Sequence, residues 1–211
     1  MSLIVLGLFL TTLVGQSVSG WYSFNSEQTE HGQPALAYLH YLTTGHFLES
    51  VFENWESEFF QMGLYVLLTV WLRQKGSAES KELEGNAEVD QDPRDKRNDP
   101  RAPWPVRRGG LVLRLYENSL VLAFAGLFLA CFVLHGVTGL AAYNQEQIEH
   151  GQETLTLFGY MTNAQFWFES LQNWQSEFLA VAAIVVLTIF LRQRGSPQSK
   201  PVAAPHSETG K

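Results

Sequence analysis

Asn25-Ser26-Glu27-Gln28-Thr29-Glu30-His31-Gly32-Gln33 returns 119 positions later as Asn144-Gln145-Glu146-Gln147-Ile148-Glu149-His150-Gly151-Gln152. The match extends in both directions. Residues 3–81 align with residues 122–200 without a gap, and about 34 of the 79 positions are identical, the mark of an internal duplication. Other shared words are Gly-Leu-Phe-Leu, Asn-Trp-x-Ser-Glu-Phe and Leu-Arg-Gln-x-Gly-Ser-x-x-Ser-Lys. The fold of one copy therefore predicts the fold of the other.

Four apolar runs flank the repeated words, at residues 3–14, 59–72, 120–134 and 178–191. A bilayer core of about 30 Å needs about 20 mostly apolar helical residues. Residues 3–20 and 120–142 meet that length directly. The other two meet it once Trp55 and Trp174 are counted as interfacial anchors, with Arg73 and Arg192 anchoring the opposite ends. The expected fold is an all-α membrane protein: four transmembrane helices as two parallel two-helix repeats, with short helices in the outer loops. Ser17-Val18-Ser19 resembles a signal-peptide cleavage site, but no basic residue precedes it and the same segment recurs at 122–139.

All 14 Lys and Arg lie in residues 73–114, in residues 192–200 or at Lys211. The positive-inside rule then puts both termini and the linker in the cytoplasm and both inter-helix loops outside. Each copy spans an even number of times, so the copies share one orientation and their pseudo-twofold axis runs along the membrane normal. The expected divisions are residues 1–81 for the first membrane repeat, 82–110 for an acidic-to-basic disordered linker, 111–200 for the second repeat and 201–211 for a disordered tail. Trp104, Arg107 and Arg108 suit anionic headgroups. A basic stretch precedes the second copy and has no counterpart before Met1, which reads as a start lying upstream. Lone Cys131 sits in an apolar run and reads as a small buried hydrophobe.

In each outer loop, Asn25 and Asn144 are expected to cap a short helix that ends at Gly32 or Gly151 in the left-handed conformation. Thr44 and Asn163 are then expected to cap long helices running to Arg73 and Arg192. Glu27, Glu30 and His31, with Glu146, Glu149 and His150, combine carboxylates and imidazoles on one helical face, a donor set suited to a borderline divalent cation. The same residues also make an ordinary acidic helix whose His meets its own C-terminus. Glu58 and Glu177 lie one turn inside the Trp anchors, and ionisable groups at that depth should face the helix bundle. Asn54 and Asn173 share their face, and Gln16 and His135 stand opposite. The expected contacts are Gln16–Glu58 and His135–Glu177, as polar clasps or a proton or cation relay.

A net charge of -7 argues against nucleic acid as a partner. There is no phosphate loop, nucleophile elbow or Cys-x-x-Cys, so neither an enzyme nor a resident cofactor is expected. The words Glu-His-Gly-Gln, Gly-His-Phe-Leu-Glu-Ser, Glu-Asn-Trp-Glu-Ser-Glu-Phe and Leu-Arg-Gln-Lys-Gly-Ser-Ala-Glu-Ser-Lys resemble an uncharacterised family of bacterial integral-membrane proteins, classed as a domain of unknown function. The resemblance covers the whole chain. It implies residence in the bacterial inner membrane, with no established activity and no functional residue to carry over. Two functional expectations follow. One is a non-catalytic module in the lipid bilayer, whose acidic outer loops pack together or meet a protein partner. The alternative is a small cation- or proton-handling protein using Glu58, Glu177 and His135.

Overall fold

The computed structural model describes residues 1–85 and 87–210. Among these the secondary structure is entirely helical. The α-helices are α1 (Ser2–Glu30), α2 (Tyr38–Tyr41), α3 (Gly45–Trp71), α4 (Trp104–Arg108), α5 (Gly110–Glu117), α6 (Ser119–Glu149), α7 (Leu157–Met161) and α8 (Ala164–Phe190). By length and composition α1, α6 and α8 can each cross a membrane. The fourth expected span, α3, falls short of that standard. Asn54, Glu56, Glu58 and Gln61 dilute its apolar half.

Several boundaries differ from expectation for local reasons. Helix α1 does not stop at Gly20 and restart at Asn25; it is one helix of 29 residues. The side chain of Asn25 is thereby free to accept from Leu36 N at 2.8 Å and donate to Leu36 O at 3.0 Å. Asn144 makes the same pair of bonds with Leu155 at 2.7 and 2.9 Å. Each asparagine thus replaces a peptide unit and clamps the returning chain. Gly32 and Gly151 do take positive φ, 72° and 68°, a conformation that strains any residue with a side chain. Thr44 Oγ1 accepts from Phe47 N, and Asn163 Oδ1 from Gln165 N, so both long helices have a side-chain cap.

The chain divides into two compact units. The first comprises Met1–Trp55 and Ala130–Ser170, the second Glu56–Leu129 and Leu171–Lys211. In the first, Phe24, Tyr41, Phe47 and Val51 form an apolar core against which Leu13, Trp21 and Trp55 pack. Two glycines set its close approaches. A Cβ at Gly45 would lie 2.6 Å from Ala142 N and 2.7 Å from Thr138 O, so α3 begins directly against the α6 backbone. A Cβ at Gly139 would lie 2.6 Å from Glu49 Oε1.

In the second unit, Phe60 meets Phe128, Trp174 and Phe178. Trp174 Nε1 donates to Glu56 Oε1 at 3.1 Å, so this indole is held inside by a carboxylate. The linker expected to be disordered carries 3-10 turns at Glu88–Asp90 and Pro93–Lys96, followed by α4 and α5. The tail is tied as well: Lys200 Nζ donates to the carbonyls of Pro205, His206 and Glu208, and Gly210 N donates to Ser77 O. Arg73 and Arg192 donate to backbone carbonyls of the chain that follows them, at Glu82 and Leu83 and at Ala204. Beside that apolar core, several polar residues are buried and many apolar ones on the long helices face outward. Glu56, Ser57, His135 and Ser170 are essentially inaccessible, while Leu3, Leu8, Leu129 and Leu179 are more than half exposed. Such a distribution is the one expected of helices that face lipid, and α1, α6 and α8 are long and apolar enough to cross a membrane.

Candidate functional site

Three helices and one short turn bring a polar cluster together inside the first unit. Helix α6 supplies His135, α3 supplies Glu49 from its second turn, and α8 supplies Glu169. Tyr160 comes from α7. His135 is fully buried and its ring stacks on Phe166, with centroids 4.7 Å apart and planes 28° from parallel. Its Nε2 lies 3.6 Å from Glu169 Oε2. Tyr160, also fully buried, sets Oη 3.0 Å from Glu49 Oε1 and 3.0 Å from Glu169 Oε2. Gln165 Nε2 holds the other Glu169 oxygen. One ligand atom from each of Glu49, His135 and Glu169 falls within 4.8 Å of the other two.

Gly139, one turn beyond His135, leaves the space that Tyr160 Oη and Glu49 Oε1 occupy. A tyrosine has one hydroxyl proton and faces two carboxyls, so its second contact requires a proton on one acid. Burial pushes Glu49 up to about 7, and the charge of Glu169 adds to this while the Tyr160 bond opposes it. Burial raises Tyr160 too, and both carboxylates reinforce the shift.

Above the cluster is a cavity of about 530 Å³ whose lining includes Glu49, Tyr160 and Glu169 as well as Glu27, His31, Glu146, Glu149 and His150. Five of the six residues read from sequence as possible metal ligands thus line one space, and Glu30 does not. His31 Nδ1 meets Glu27 O at 2.9 Å and His150 Nδ1 meets Glu146 O at 2.8 Å. A neutral imidazole that donates through Nδ1 keeps its lone pair on Nε2.

The expected relay pairs are realigned. Gln16 Nε2 donates to Ser50 Oγ at 3.3 Å. His135 meets Glu169. Ser50 and Glu169 each precede the expected partner, Glu58 or Glu177, by eight residues, about 12 Å of helix. The displacement follows from the uninterrupted α1 and α6, which carry each hairpin's return well past the assumed membrane edge. Glu58 is exposed, and Glu56 is the carboxylate of that turn that is buried. Glu177 is half-buried and its carbonyl accepts from Gln61 Nε2 at 3.1 Å. Asn54 bonds back to Ser50 O, and Asn173 lies half-buried on α8.

Glu49, Tyr160 and Glu169 escaped the sequence reading. Glu49 is one of four glutamates on α3. Aligned at the repeat offset it faces Phe168, and Glu169 faces Ser50, so comparing the copies concealed both acids. The signal that could have found them is the departure itself: His135 and Glu169 stand where the first copy has Gln16 and Ser50.

Together the fold and cluster define an all-helical protein with helices apolar enough for a membrane and two half-buried carboxylates around a buried imidazole, lining an acidic cavity. Residues 1–211 match the family described as a domain of unknown function (DUF6766), and the chain belongs to that family. No curated protein and no solved structure matches it.

Proposed function

We propose that the chain is a multi-pass protein of a bacterial inner membrane that takes up cations, protons included, into the Glu49–His135–Tyr160–Glu169 cluster. The observation that carries this is the convergence of two carboxylates and an imidazole, from three helices, beneath a cavity lined by further acids. Burying such groups costs several kcal/mol each unless they are paired, and an apolar contact would hold the helices at less expense. In this reading α3 also crosses the bilayer. From Trp55 onward its buried residues are the polar Glu56, Ser57 and Gln61, while Met62, Leu68 and Val70 are exposed, the arrangement suited to lipid. The duplication and the distribution of Lys and Arg support two parallel copies, with the cavity on the outer side and both termini and the linker in the cytoplasm. Amide and hydroxyl side chains across membrane helices contribute only about 0.6 kcal/mol on average, so a structural clasp does not need ionisable members.

A second reading, a structural module that meets a partner or a second copy through its outer loops, is favoured by Leu39 on α2 and Phe158 on α7. These stand 77% and 80% exposed. Proteoliposome flux separates the two. The cation reading expects proton or divalent-cation flux above empty vesicles, lost in the folded Glu49→Gln/Glu169→Gln double variant. Flux that is absent, or indifferent to that double substitution, favours the module.

A further inference from the structure

The geometry points to a first-row divalent metal site at Glu49, His135 and Glu169, taking an ion of the zinc, manganese or iron class. This deepens the cation reading above and rests on it. Four observations carry it.

The donor set is the first. Two carboxylates and an imidazole fit those metals, whereas calcium and magnesium take oxygen ligands throughout. The spacing is the second. Ligands about 2.0–2.1 Å from a tetrahedral ion stand about 3.3 Å from one another. His135 Nε2 and Glu169 Oε2 are 3.6 Å apart, and all three donors lie within 4.8 Å. A small inward movement of side chains closes the set, and three protein ligands leave one position open towards the cavity.

The third observation is the outer layer of hydrogen bonds. Metal-ligating carboxylates are normally oriented by such partners. Here Gln165 fixes one oxygen of Glu169, and Tyr160 reaches both acids. The fourth is the asymmetry of the duplication. The same packing position in the first copy is filled by the neutral pair Gln16 and Ser50, in contact at 3.3 Å. An uncharged pair therefore meets the structural need at this helix crossing. The replacement by His135 and Glu169, with Glu49 brought in from the other copy, adds a desolvation cost that packing alone does not require. His31 and His150, each held through Nδ1, line the approach to the site and offer transient ligands on the way in.

The test uses the full chain in detergent, stripped with chelator and titrated with Co²⁺ and then Zn²⁺. The expected result is one Co²⁺ equivalent with visible ligand-field absorption, displaced by Zn²⁺. His135→Gln, which installs the first copy's residue, should weaken binding by about 100-fold. Glu49→Gln should do the same by a second route should His135→Gln fail to fold. Absorption that survives unchanged in folded His135→Gln and Glu49→Gln overturns the assignment and moves the metal elsewhere. Absence of Co²⁺ and Zn²⁺ binding also overturns it. In that case proton flux that still depends on Glu49 and Glu169 leaves the cation reading standing, and absent flux removes both.

Discussion

Glu49 has neighbours on every side that bear on its charge. Glu169 and Glu53 oppose ionisation, while His135 and the Tyr160 hydroxyl favour it, and burial outweighs them all. Its acid group moves from 4.5 to about 7 on folding. Between those values the native state binds more protons than the unfolded chain, so stability falls as pH rises through that window. The metal-free protein should accordingly melt lower at pH 8 than at pH 5, by an amount on the order of 2 kcal/mol from this group. Glu49→Gln should flatten the profile. Thermal unfolding in detergent with chelator, across pH 4.5–8.5, checks the sign; a variant as steep as the parent would mean that other groups set the slope.

Close approach of the long helices depends on small residues at particular positions. A methyl at Gly45 would meet backbone atoms of α6 that cannot rotate away. Gly45→Ala should therefore cost about 1–3 kcal/mol. Gly126, also on a long helix, has nothing within 4 Å of its would-be Cβ. Gly126→Ala should leave stability unchanged or raise it by up to about 1 kcal/mol. Paired melting curves decide this; equal effects would show that the α3–α6 approach is looser than the geometry implies. The repeated Leu-Arg-Gln-x-Gly-Ser-x-x-Ser-Lys word also finds its explanation at this scale. Gln74 N donates to Ser80 Oγ and Gln193 N to Ser199 Oγ, so each serine closes the turn that ends its helix.

At the scale of the whole molecule, many apolar side chains of α1, α6 and α8 are exposed while Ser17, His135 and Ser170 are buried, a distribution suited to lipid as the solvent. The proposed topology makes a direct forecast for single cysteines read with a membrane-impermeant maleimide. Ser26→Cys should label from outside, and Leu83→Cys and Ser207→Cys only from the cytoplasmic side. Cys131 is buried and should stay silent. Residues 26 and 83 labelling from the same side would mean that α3 does not cross, and inverted labelling of all three would reverse the orientation.

Sequence by itself determined the features that depend on composition along the chain. Helical segments of membrane length, the positive φ at Gly32 and Gly151 and the caps at Thr44 and Asn163 are all properties of the local chain. His135 was legible too, because an imidazole in an apolar run is costly wherever the helix goes. Its partner was not. Whether His135 meets Glu169 or Glu177 depends on how far α6 continues before the chain returns, and that is decided by the Asn144–Leu155 clamp rather than by either residue. The convergence of Glu49 and Glu169 on Tyr160 required the tertiary structure for the same reason. The two acids occupy different positions in the repeated pattern, and only the packing of α3, α6, α7 and α8 makes them neighbours.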